Sequence, residues 1–332
     1  MIQTILLKNR PKGSPTLSDF EFVKEDTKLT PKEGEILLDT VYVSVDPYLR
    51  GRMSDAKSYA PPFELNKPIY SGVVAKVTAS KNDNFKEGEF VMGMLDWKTQ
   101  QVSSGKGLMK VDGEKAPLSA YLGILGMTGL TAYLGLTQIG KPKAGETLIV
   151  SGAAGAVGSV VGQIAKNLGL TVIGIAGTDE KVDLLKSKFG FDAAINYNTS
   201  KDMSADIAKA APNGIDIYFD NVGGPISDAV LFNINQFARI VNCGAISVYN
   251  NTELPKSISV QPFLVKNSAL MQGFIVSNYE EKFPEAMQQL AEWLAAGKLT
   301  YTETVVEGFE NIPKAFMDLF EGKNTGKMVV KI

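Results

Sequence analysis

The stretch Thr147–Gly162, which reads TLIVSGAAGAVGSVVG, constrains the fold of this chain more than any other. It opens with a short apolar run, Thr147–Val150, which is typical of a buried parallel strand. A turn rich in glycine and alanine follows, and a periodic apolar run then predicts a helix up to Leu168. A strand, a glycine-rich turn and a helix in this order are the context in which a G-x-G-x-x-G motif binds a dinucleotide.

The turn matches that motif as Ala153-x-Gly155-x-x-Gly158. Gly155 lets the backbone approach a pyrophosphate, and Gly158 lets the helix pack closely on its strand. The start of the helix offers free N–H groups and a positive dipole end to the phosphates. Because the first glycine of the motif is an alanine here, a tight turn without a ligand is the alternative. The flanking strand and helix favour the nucleotide site.

Strands and helices alternate from Gly145 onward, which predicts a doubly wound parallel sheet with right-handed crossovers. The sequence places strands at 147–150, 170–176, 193–196, 215–220, 238–243 and 268–276, and helices at 178–189, 225–237 and 283–296. Residues 1–120 are rich in β-branched residues, glycine and proline, which indicates a compact, barrel-like β domain. The end of the chain predicts a strand, a short helix and a strand at 301–307, 309–320 and 327–332.

Two absences limit the chemistry that this chain can perform. It contains no histidine, and Cys243 is its only cysteine. A Cys/His zinc site, a Ser-His-Asp triad, a Cys-His pair and a disulfide within the chain are therefore excluded. Cys243 is interpreted as a small packed hydrophobe rather than as a nucleophile.

Charge and hydropathy limit the partners. The net charge of −2 gives no electrostatic basis for binding nucleic acid. No apolar stretch approaches the roughly 18 residues that a membrane span needs, and Lys8 and Arg10 interrupt the first apolar residues, so no signal peptide is expected. We therefore expect a cytoplasmic protein without nucleic-acid or membrane partners.

The end of the second predicted strand bears on which nucleotide binds. An NAD site normally has Asp or Glu at this tip to bind the ribose 2′-hydroxyl, but here the tip reads Ile175-Ala176-Gly177-Thr178. Lys181, one helical turn further on, suits a 2′-phosphate, which favours NADP(H) over NAD(H). Asp179 is interpreted as a first-turn residue favoured by the helix dipole, and a solvated helix lysine is the alternative for Lys181.

Polar loops follow other predicted strands. Asp220–Gly224 and Cys243–Asn250 end the fourth and fifth strands of the sheet, where open α/β sheets bind ligands, so both are candidates for the nicotinamide half of the cofactor. Ordinary turn chemistry is the alternative for both. In the first domain, Tyr48, Arg50 and Arg52 are candidates to face a cleft, with a surface loop and a packed tyrosine as the alternative.

Motifs spread over nearly the whole chain resemble those of one known family. They are VDPYLR at 45–50, GLTAY at 129–133, AAGAVGS at 153–159, DEK at 179–181, YFDNVGG at 218–224, CGAIS at 243–247, EGFEN at 307–311 and GK at 326–327. On these residues the chain resembles the zinc-independent medium-chain dehydrogenase/reductase superfamily. Within it, the chain is most similar to the prostaglandin reductase, leukotriene B4 dehydrogenase and curcumin reductase group of NADP-dependent alkenal/one oxidoreductases.

The resemblance implies an α/β fold in which a Rossmann doubly wound parallel sheet is joined to a GroES-like, β-barrel-type catalytic domain. The catalytic domain is split into 1–125 and 300–332, and 126–299 form the NADP-binding domain. NADP(H) is the implied cofactor, with its pyrophosphate at the fingerprint and its 2′-phosphate at Lys181 and Tyr197. The implied cofactor-binding residues are Ala154, Gly155, Ala156, Val157, Gly158, Gly177, Lys181, Tyr197, Asn221, Cys243, Gly244, Ala245, Ile246, Ser247, Tyr249, Phe274, Ile275, Val276 and Asn324.

The family reduces the carbon–carbon double bond of α,β-unsaturated ketones and aldehydes without a metal. Hydride from the nicotinamide adds to the β-carbon, so charge develops on the carbonyl oxygen as an enolate, which hydrogen-bond donors stabilise. The candidate donors are Tyr249 and the cofactor's own ribose hydroxyl, with Tyr48 and Arg50 as weaker candidates. For Tyr249, lining the pocket without donating is the alternative. Water can protonate the α-carbon, so no dedicated acid is required.

Two other functions fit the same sequence. One is an NADPH quinone oxidoreductase of the same superfamily, and the other is a non-catalytic NADPH-binding protein with a structural or regulatory role. The loops 60–63 and 277–279 are expected to shape the substrate site, so the substrate stays open. The resemblance also suggests a homodimer formed through the edge of the Rossmann sheet, with Ser268–Val276 as the edge strand.

Overall fold

The computed structural model describes all 332 residues and divides into two compact units. The first unit comprises Met1–Gly123, Thr304–Asn324 and Met328–Ile332, and the second comprises Ile124–Glu303 and Thr325–Lys327. The return of the chain to the second unit at Thr325–Lys327 was not expected from the sequence. The roles assigned to the two parts, catalytic and NADP-binding, stay predictions at this point.

The regular elements alternate along the second unit, as the sequence predicts. The strands are β1 Ile2–Leu7, β2 Phe20–Glu25, β3 Ile36–Ser44, β4 Tyr70–Ser80, β5 Phe90–Asp96, β6 Gln100–Ser103, β7 Met109–Val111, β8 Thr147–Val150, β9 Thr171–Ala176, β10 Ala193–Asn196, β11 Ile215–Asp220, β12 Ile234–Asn242, β13 Leu270–Gly273, β14 Glu303–Glu307 and β15 Lys327–Lys331. The α-helices are α1 Leu49–Arg52, α2 Met127–Leu134, α3 Gly158–Asn167, α4 Asp179–Ser187, α5 Met203–Ala210, α6 Gly224–Leu231, α7 Gln261–Asn267, α8 Phe283–Ala295 and α9 Ile312–Asp318. Short 3₁₀ turns lie at Leu17–Asp19, Leu118–Leu122, Ile246–Val248, Val276–Lys282 and Phe309–Asn311, and Gly135–Gly140 is a π-helical turn.

The first unit is built on a seven-stranded sheet in the order β14-β15-β3-β4-β5-β7, with β6 paired to β3. The pairs from β15 to β7 are antiparallel. Its core is apolar and includes Ile5, Trp97 and Phe316, all fully buried. The buried Trp97 indole N–H donates to Ser71 Oγ at 2.8 Å, so its one polar group is satisfied. The prediction of a separate β domain is therefore confirmed.

The second unit contains a six-stranded sheet in the order β10-β9-β8-β11-β12-β13, and all of its pairs are parallel. This order is that of a doubly wound dinucleotide-binding sheet, so the predicted fold class is confirmed. The strand order reverses between β8 and β11. The crevice outside the carboxyl ends of these two strands is the place where such sheets bind ligands.

Three predicted elements are wrong in extent. The strand expected at 238–243 is β12, which begins earlier, at Ile234. The helix expected at 225–237 ends at Leu231, because β12 begins at Ile234 and contains a bulge opposite β11, where Phe237 adopts a φ of 64°. The edge strand expected at 268–276 is only β13, because Ser268 closes α7 in the left-handed conformation and Val276 opens a 3₁₀ turn. The helices α5 and α7 were not predicted.

The packing of α3 on the sheet depends on a small residue. A Cβ at Gly162 would overlap the ring of the buried Phe191. Gly162→Ala should therefore lower the urea midpoint of unfolding, since overpacking a core costs about 1–3 kcal/mol, more than the ~1 kcal/mol of helix propensity gained. Gly51→Ala in α1 is the matched control, because nothing lies within 4 Å of its Cβ position. An unchanged or raised midpoint for Gly162→Ala would contradict this account of the packing.

Candidate active site

The turn between β8 and α3 is held by close backbone contacts. Gly152 has a φ of 58°, and Ala153 donates its N–H to Ile175 O at 3.0 Å, which ties the turn to β9. A Cβ at Gly158 would overlap Gly152 O and lie 2.8 Å from the Cα of Ala153. The close approach of α3 to the turn therefore requires glycine at position 158.

The start of α3 has the properties of an anion site. The first N–H groups of an α-helix have no intrahelical acceptor. No side chain caps this end of α3, and its first turn contains no acidic residue. The N–H groups of Ser159 and Val160 already donate to Gly155 O and Val157 O, both at 3.1 Å. This end therefore offers a negatively charged ligand chiefly the positive end of the helix dipole. The turn Ala154–Gly158 is thus chemically suited to a pyrophosphate, as a fingerprint predicts.

The tip of β9 brings together Gly177 and Tyr197, two of the predicted residues. A Cβ at Gly177 would lie 2.8 Å from Tyr197 Oη, so glycine is needed for the aromatic ring to sit against the tip. Tyr197 donates its N–H to Ala176 O at 3.0 Å and keeps 42% of its surface exposed. The ring and the strand end together form a partly open surface.

Charge at this tip comes from Lys181 rather than from a carboxylate. Thr178 caps α4 by accepting the N–H of Lys181 at 3.3 Å. Asp179 is engaged elsewhere, because its Oδ1 accepts from Asn196 Nδ2 at 2.7 Å. Burial lowers the pKa of the Lys181 ammonium below its ordinary value. An anionic ligand beside this ammonium would oppose that shift, so the position suits a phosphate.

A buried carboxylate, Asp220, organises the loop after β11. Its Oδ1 accepts from Ser151 Oγ at 2.8 Å and from the N–H groups of Val222 and Gly223, both at 2.9 Å. Asn221 donates its N–H to Ser151 Oγ at 2.9 Å and its side-chain amide to Ser151 O at 2.8 Å. The carboxyl ends of β8 and β11 are therefore joined by one hydrogen-bond network.

The loop after β12 is tied to the same network. The N–H groups of Cys243 and Gly244 donate to Asp220 O at 2.8 and 3.1 Å. Ser247 donates both its N–H and its hydroxyl to Val222 O. Burial, with a contribution from Asp220, raises the pKa of the Cys243 thiol to about 12, so the thiol is neutral at physiological pH. This agrees with a packed residue rather than a nucleophile.

Tyr249 lies at the end of this loop, with its hydroxyl turned back toward the loop's own backbone. The hydroxyl accepts the Ala245 N–H at 3.2 Å, and a Cβ at Gly244 would lie 3.0 Å from it. Burial raises the pKa of the Tyr249 phenol, so the group stays protonated at neutral pH. A hydroxyl that accepts one hydrogen bond is a stronger donor of another. The phenol can therefore donate to a developing oxyanion.

The structure gives Arg50 a structural role. Its guanidinium is buried and donates to Pro11 O at 3.2 Å and to Gly13 O at 2.9 Å. Arg52 is likewise buried, between the rings of Phe63 and Tyr70, with its guanidinium carbon 4.1 and 4.2 Å from the ring centroids. These contacts account for the burial of both arginines, and none of them requires a catalytic role.

Tyr48, the third candidate of the first unit, is half-buried and packs against the apolar core of that unit. Burial, and secondarily Asp46, raise the pKa of its phenol, which therefore stays protonated.

The segment after β13 begins with an aromatic residue, Phe274, that packs on its neighbours. Its ring lies edge-on against Phe219 and Tyr279, with centroids 6.4 Å away in both cases. It also fills the space beside Gly135, where a Cβ would lie 2.5 Å from the ring of Phe274. The predicted contact of Phe274 with the cofactor stays a prediction.

The pairing of Ser151 with Asp220, which anchors the site, was missed. Asp220 lies in a predicted candidate loop, but Ser151 was not predicted as its partner, although Ser151 directly follows β8 and Asp220 ends the neighbouring strand β11. The available signal was polarity at the carboxyl ends of two otherwise apolar strands. Asn324 belongs to the first unit, and its predicted contact with the cofactor stays a prediction.

The structure places no group of three or more His, Cys, Asp and Glu side chains where they could hold a metal ion. None of its helices combines the length and the apolar character needed to span a membrane.

Two family models and two relatives that this chain matches are described as oxidoreductases, reductases or dehydrogenases. A family model described as the N-terminal domain of oxidoreductase matches residues 3–111, and one described as zinc-binding dehydrogenase matches 156–292. The putative NADP-dependent oxidoreductase YfmJ of Bacillus subtilis (strain 168) is 56% identical over 99% of this chain and 97% of its own length. The NADPH-dependent curcumin reductase of Escherichia coli (strain K12) is 42% identical over 98% of this chain and 96% of its own length.

A solved structure matches over the whole chain. CurA from Vibrio vulnificus in complex with NADPH superposes with a TM-score of 0.93 at 46% identity, covering 99% of this chain and 98% of that one. The doubly wound sheet, the separate antiparallel sheet and both family matches make this chain a member of the medium-chain dehydrogenase/reductase superfamily. Within it, the chain belongs to the family of oxidoreductases that includes curcumin reductase and prostaglandin reductase 1.

Proposed function

We propose that this chain is an NADPH-dependent enone reductase, which reduces the carbon–carbon double bond of α,β-unsaturated ketones and aldehydes. The observation that carries the cofactor choice is the tip of β9, where glycine replaces a carboxylate and the half-buried Lys181 supplies positive charge. The names of the full-length relatives support the same cofactor and reaction class.

The residues present fit the cofactor. The turn Ala154–Gly158 is proposed to bind the pyrophosphate, and Lys181 and Tyr197 the 2′-phosphate. The loop Cys243–Tyr249, with Asn221, is proposed to line the nicotinamide half. Phe274–Val276 and Asn324 are the remaining residues that we propose to bind the cofactor. NADPH, when bound, supplies the hydride that is transferred to the β-carbon of the substrate.

We propose that the protein contributes to the reaction by electrostatic stabilisation of the enolate. Addition of hydride to the β-carbon moves charge onto the carbonyl oxygen of the substrate, and a fixed donor aimed at that oxygen stabilises the enolate. Tyr249 is proposed as that donor, because its protonated hydroxyl is held by the Ala245 N–H. The α-carbon then takes a proton from water, so the mechanism asks for no further acid.

We also propose that the protein is a cytoplasmic homodimer. A single cysteine agrees with a reducing compartment. The strand β13 pairs with β12 on one side only, and an unpaired sheet edge is a template for a second chain. Large apolar side chains are exposed on elements near this edge, including Leu270 at 49% and Val265 at 80%.

The first test is a substrate panel followed by NADPH absorbance. An alkenal and an open-chain enone should be reduced at the C=C bond, and treatment with EDTA should leave the rate unchanged. NADH should be a much poorer cofactor. Turnover of a quinone alone would favour the quinone oxidoreductase, and NADPH binding without turnover of any class would favour a non-catalytic protein. Loss of activity in EDTA would contradict metal-free chemistry.

Removing the charge at the β9 tip should change the cofactor preference. Lys181→Ala should weaken NADPH binding by roughly 10- to 100-fold, because a hydrogen bond to a charged group is worth about 1.5–3 kcal/mol. Binding of NADH should be unaffected. Lys186→Ala is the control, because this lysine lies on the same helix and pairs with Asp183 at the surface. Equal losses for NADPH and NADH would argue against a 2′-phosphate site.

Removing the proposed donor should slow the chemical step. Tyr249→Phe should lower kcat on the order of a hundredfold, the usual effect of deleting one oxyanion donor, while the Kd for NADPH changes little. Tyr48→Phe serves as the comparison, because Tyr48 is the other protonated phenol among the candidates. A larger loss of kcat in Tyr48→Phe than in Tyr249→Phe would transfer the donor role to Tyr48.

The proposed dimer can be tested at its edge. Leu270→Glu should shift the protein to a monomer in sedimentation velocity, because a carboxylate would be desolvated between two paired edges. Val305→Glu, at an exposed apolar position of the first unit, should leave the oligomeric state unchanged. A monomeric wild-type protein, or a Leu270→Glu dimer, would rule out this interface.

A further inference from the structure

A short segment of the second unit, Lys298–Thr302, is attached to the helix that follows the fingerprint turn; we refer to it as the strut. The side chain of Gln163, in α3, donates from Nε2 to Thr300 O at 2.8 Å. Thr300 returns its N–H to Gln163 Oε1, also at 2.8 Å. Gln163 is only 5% exposed, so this reciprocal pair is protected from water.

The same amide continues toward the fingerprint turn. Gln163 Nε2 also donates to Ser159 O at 2.9 Å, in the first turn of α3. The hydroxyl of Ser159 in turn donates to Gly155 O at 2.8 Å. A hydrogen-bonded path therefore runs from the strut through Gln163 and Ser159 to the middle glycine of the fingerprint.

The other end of the strut reaches the same turn through the segment Thr325–Lys327. Lys327 donates its N–H to Thr302 O at 3.0 Å, and Gly326 donates its N–H to Ala154 O at 2.7 Å. Gly326 has a φ of 68°, and a Cβ there would overlap Thr302 O. The strut is therefore connected to the fingerprint turn in two ways, through Gln163 and through Gly326.

The strut also contacts the helix that carries Lys181. Lys188, which follows α4, donates from Nζ to Tyr301 O at 3.1 Å and to Thr302 Oγ1 at 2.8 Å. These two bonds are exposed, so we expect them to contribute less than the buried Gln163 pair.

We propose that the strut positions the fingerprint turn for the pyrophosphate, and that Gln163 is the positioning residue through which it acts. This inference rests on the nucleotide site proposed above. A turn that contains Gly152 and Gly155 has much conformational freedom to lose when it orders around a ligand. Bonds that hold its carbonyls before binding lower that cost and so raise affinity. Gln163 touches no ligand in this account.

The test separates the two phosphate sites. Gln163→Met keeps the length of the side chain and removes its hydrogen bonds. NADPH spans both sites, whereas 2′-AMP reports the 2′-phosphate site alone. Gln163→Met removes three hydrogen bonds, and we expect it to raise the Kd for NADPH about tenfold, a loss of affinity equal to the net effect of about one hydrogen bond. The Kd for 2′-AMP should stay within about twofold, because no bond to Lys181 or Tyr197 is lost. Backbone amides of 152–157 should exchange with solvent faster.

Two further variants provide a second test and a control. Gly326→Ala disturbs the other connection between the strut and the fingerprint turn. It should give the same pattern of dissociation constants, and it replaces Gln163→Met as the test if that variant folds poorly. Asn233→Leu is the matched control in the same unit, because it removes amide bonds to Ser204 O and Ala229 O. It should lower the urea midpoint and leave both dissociation constants unchanged.

The outcomes distinguish this inference from the site on which it rests. If Gly158→Val abolishes NADPH binding while Gln163→Met and Gly326→Ala leave it unchanged, the site stands and the strut proposal is overturned. Equal weakening of NADPH and 2′-AMP in Gln163→Met would also overturn it, since that pattern indicates general destabilisation. If Gly158→Val leaves NADPH binding unchanged, the proposed nucleotide site itself is wrong.

Discussion

The buried carboxylate of Asp220 is the interaction on which the rest of the site depends. An unpaired buried charge is costly. Three hydrogen bonds stabilise the carboxylate of Asp220, from the hydroxyl of Ser151 and from the N–H groups of Val222 and Gly223. Through these bonds, and through its own carbonyl, it joins the ends of β8, β11 and β12. The fingerprint turn and the loop that carries Tyr249 are thereby held to one point of the sheet.

Positions that glycine alone can fill provide the second constraint. Gly158 allows α3 to approach its own turn, and Gly177 allows Tyr197 to lie against the tip of β9. Neither residue offers a functional group. Each removes a side chain so that backbone N–H groups, or an aromatic ring, lie where a phosphate can reach them. The chemistry of the site therefore comes largely from backbone geometry, which suits a reaction in which the cofactor supplies the hydride.

Three strands of the parallel sheet have the bounds that the sequence predicts. They are Thr147–Val150, Ala193–Asn196 and Ile215–Asp220, and short apolar runs between turn residues have few other placements. The prediction failed at 225–237, where a bulge at Phe237 lets a strand begin inside an apolar run that also suits a helix. It failed at 268–276 because α7 and a 3₁₀ turn occupy the two ends of this apolar segment and leave only β13 between them.

The candidate site was predictable where a motif fixes backbone geometry, as at Gly155 and Gly158. It was not predictable where a role depends on long-range contacts. Arg50 carries a functional group that suggests chemistry, yet its guanidinium binds the backbone of a distant loop. Gln163 looks like an ordinary helix residue, and only its contact with Thr300, far along the chain, points to the proposed positioning role. Sequence spacing contains no information on such pairs.

The central claim is that hydride passes to the β-carbon of an enone. The most direct measurement uses NADPH that carries deuterium at the transferable C4 position, with an open-chain enone as substrate and NMR of the product. The expected product is a saturated ketone with deuterium on the β-carbon and solvent hydrogen on the α-carbon. Deuterium on the carbonyl carbon of an allylic alcohol would contradict it, because the enzyme would then be reducing C=O rather than C=C.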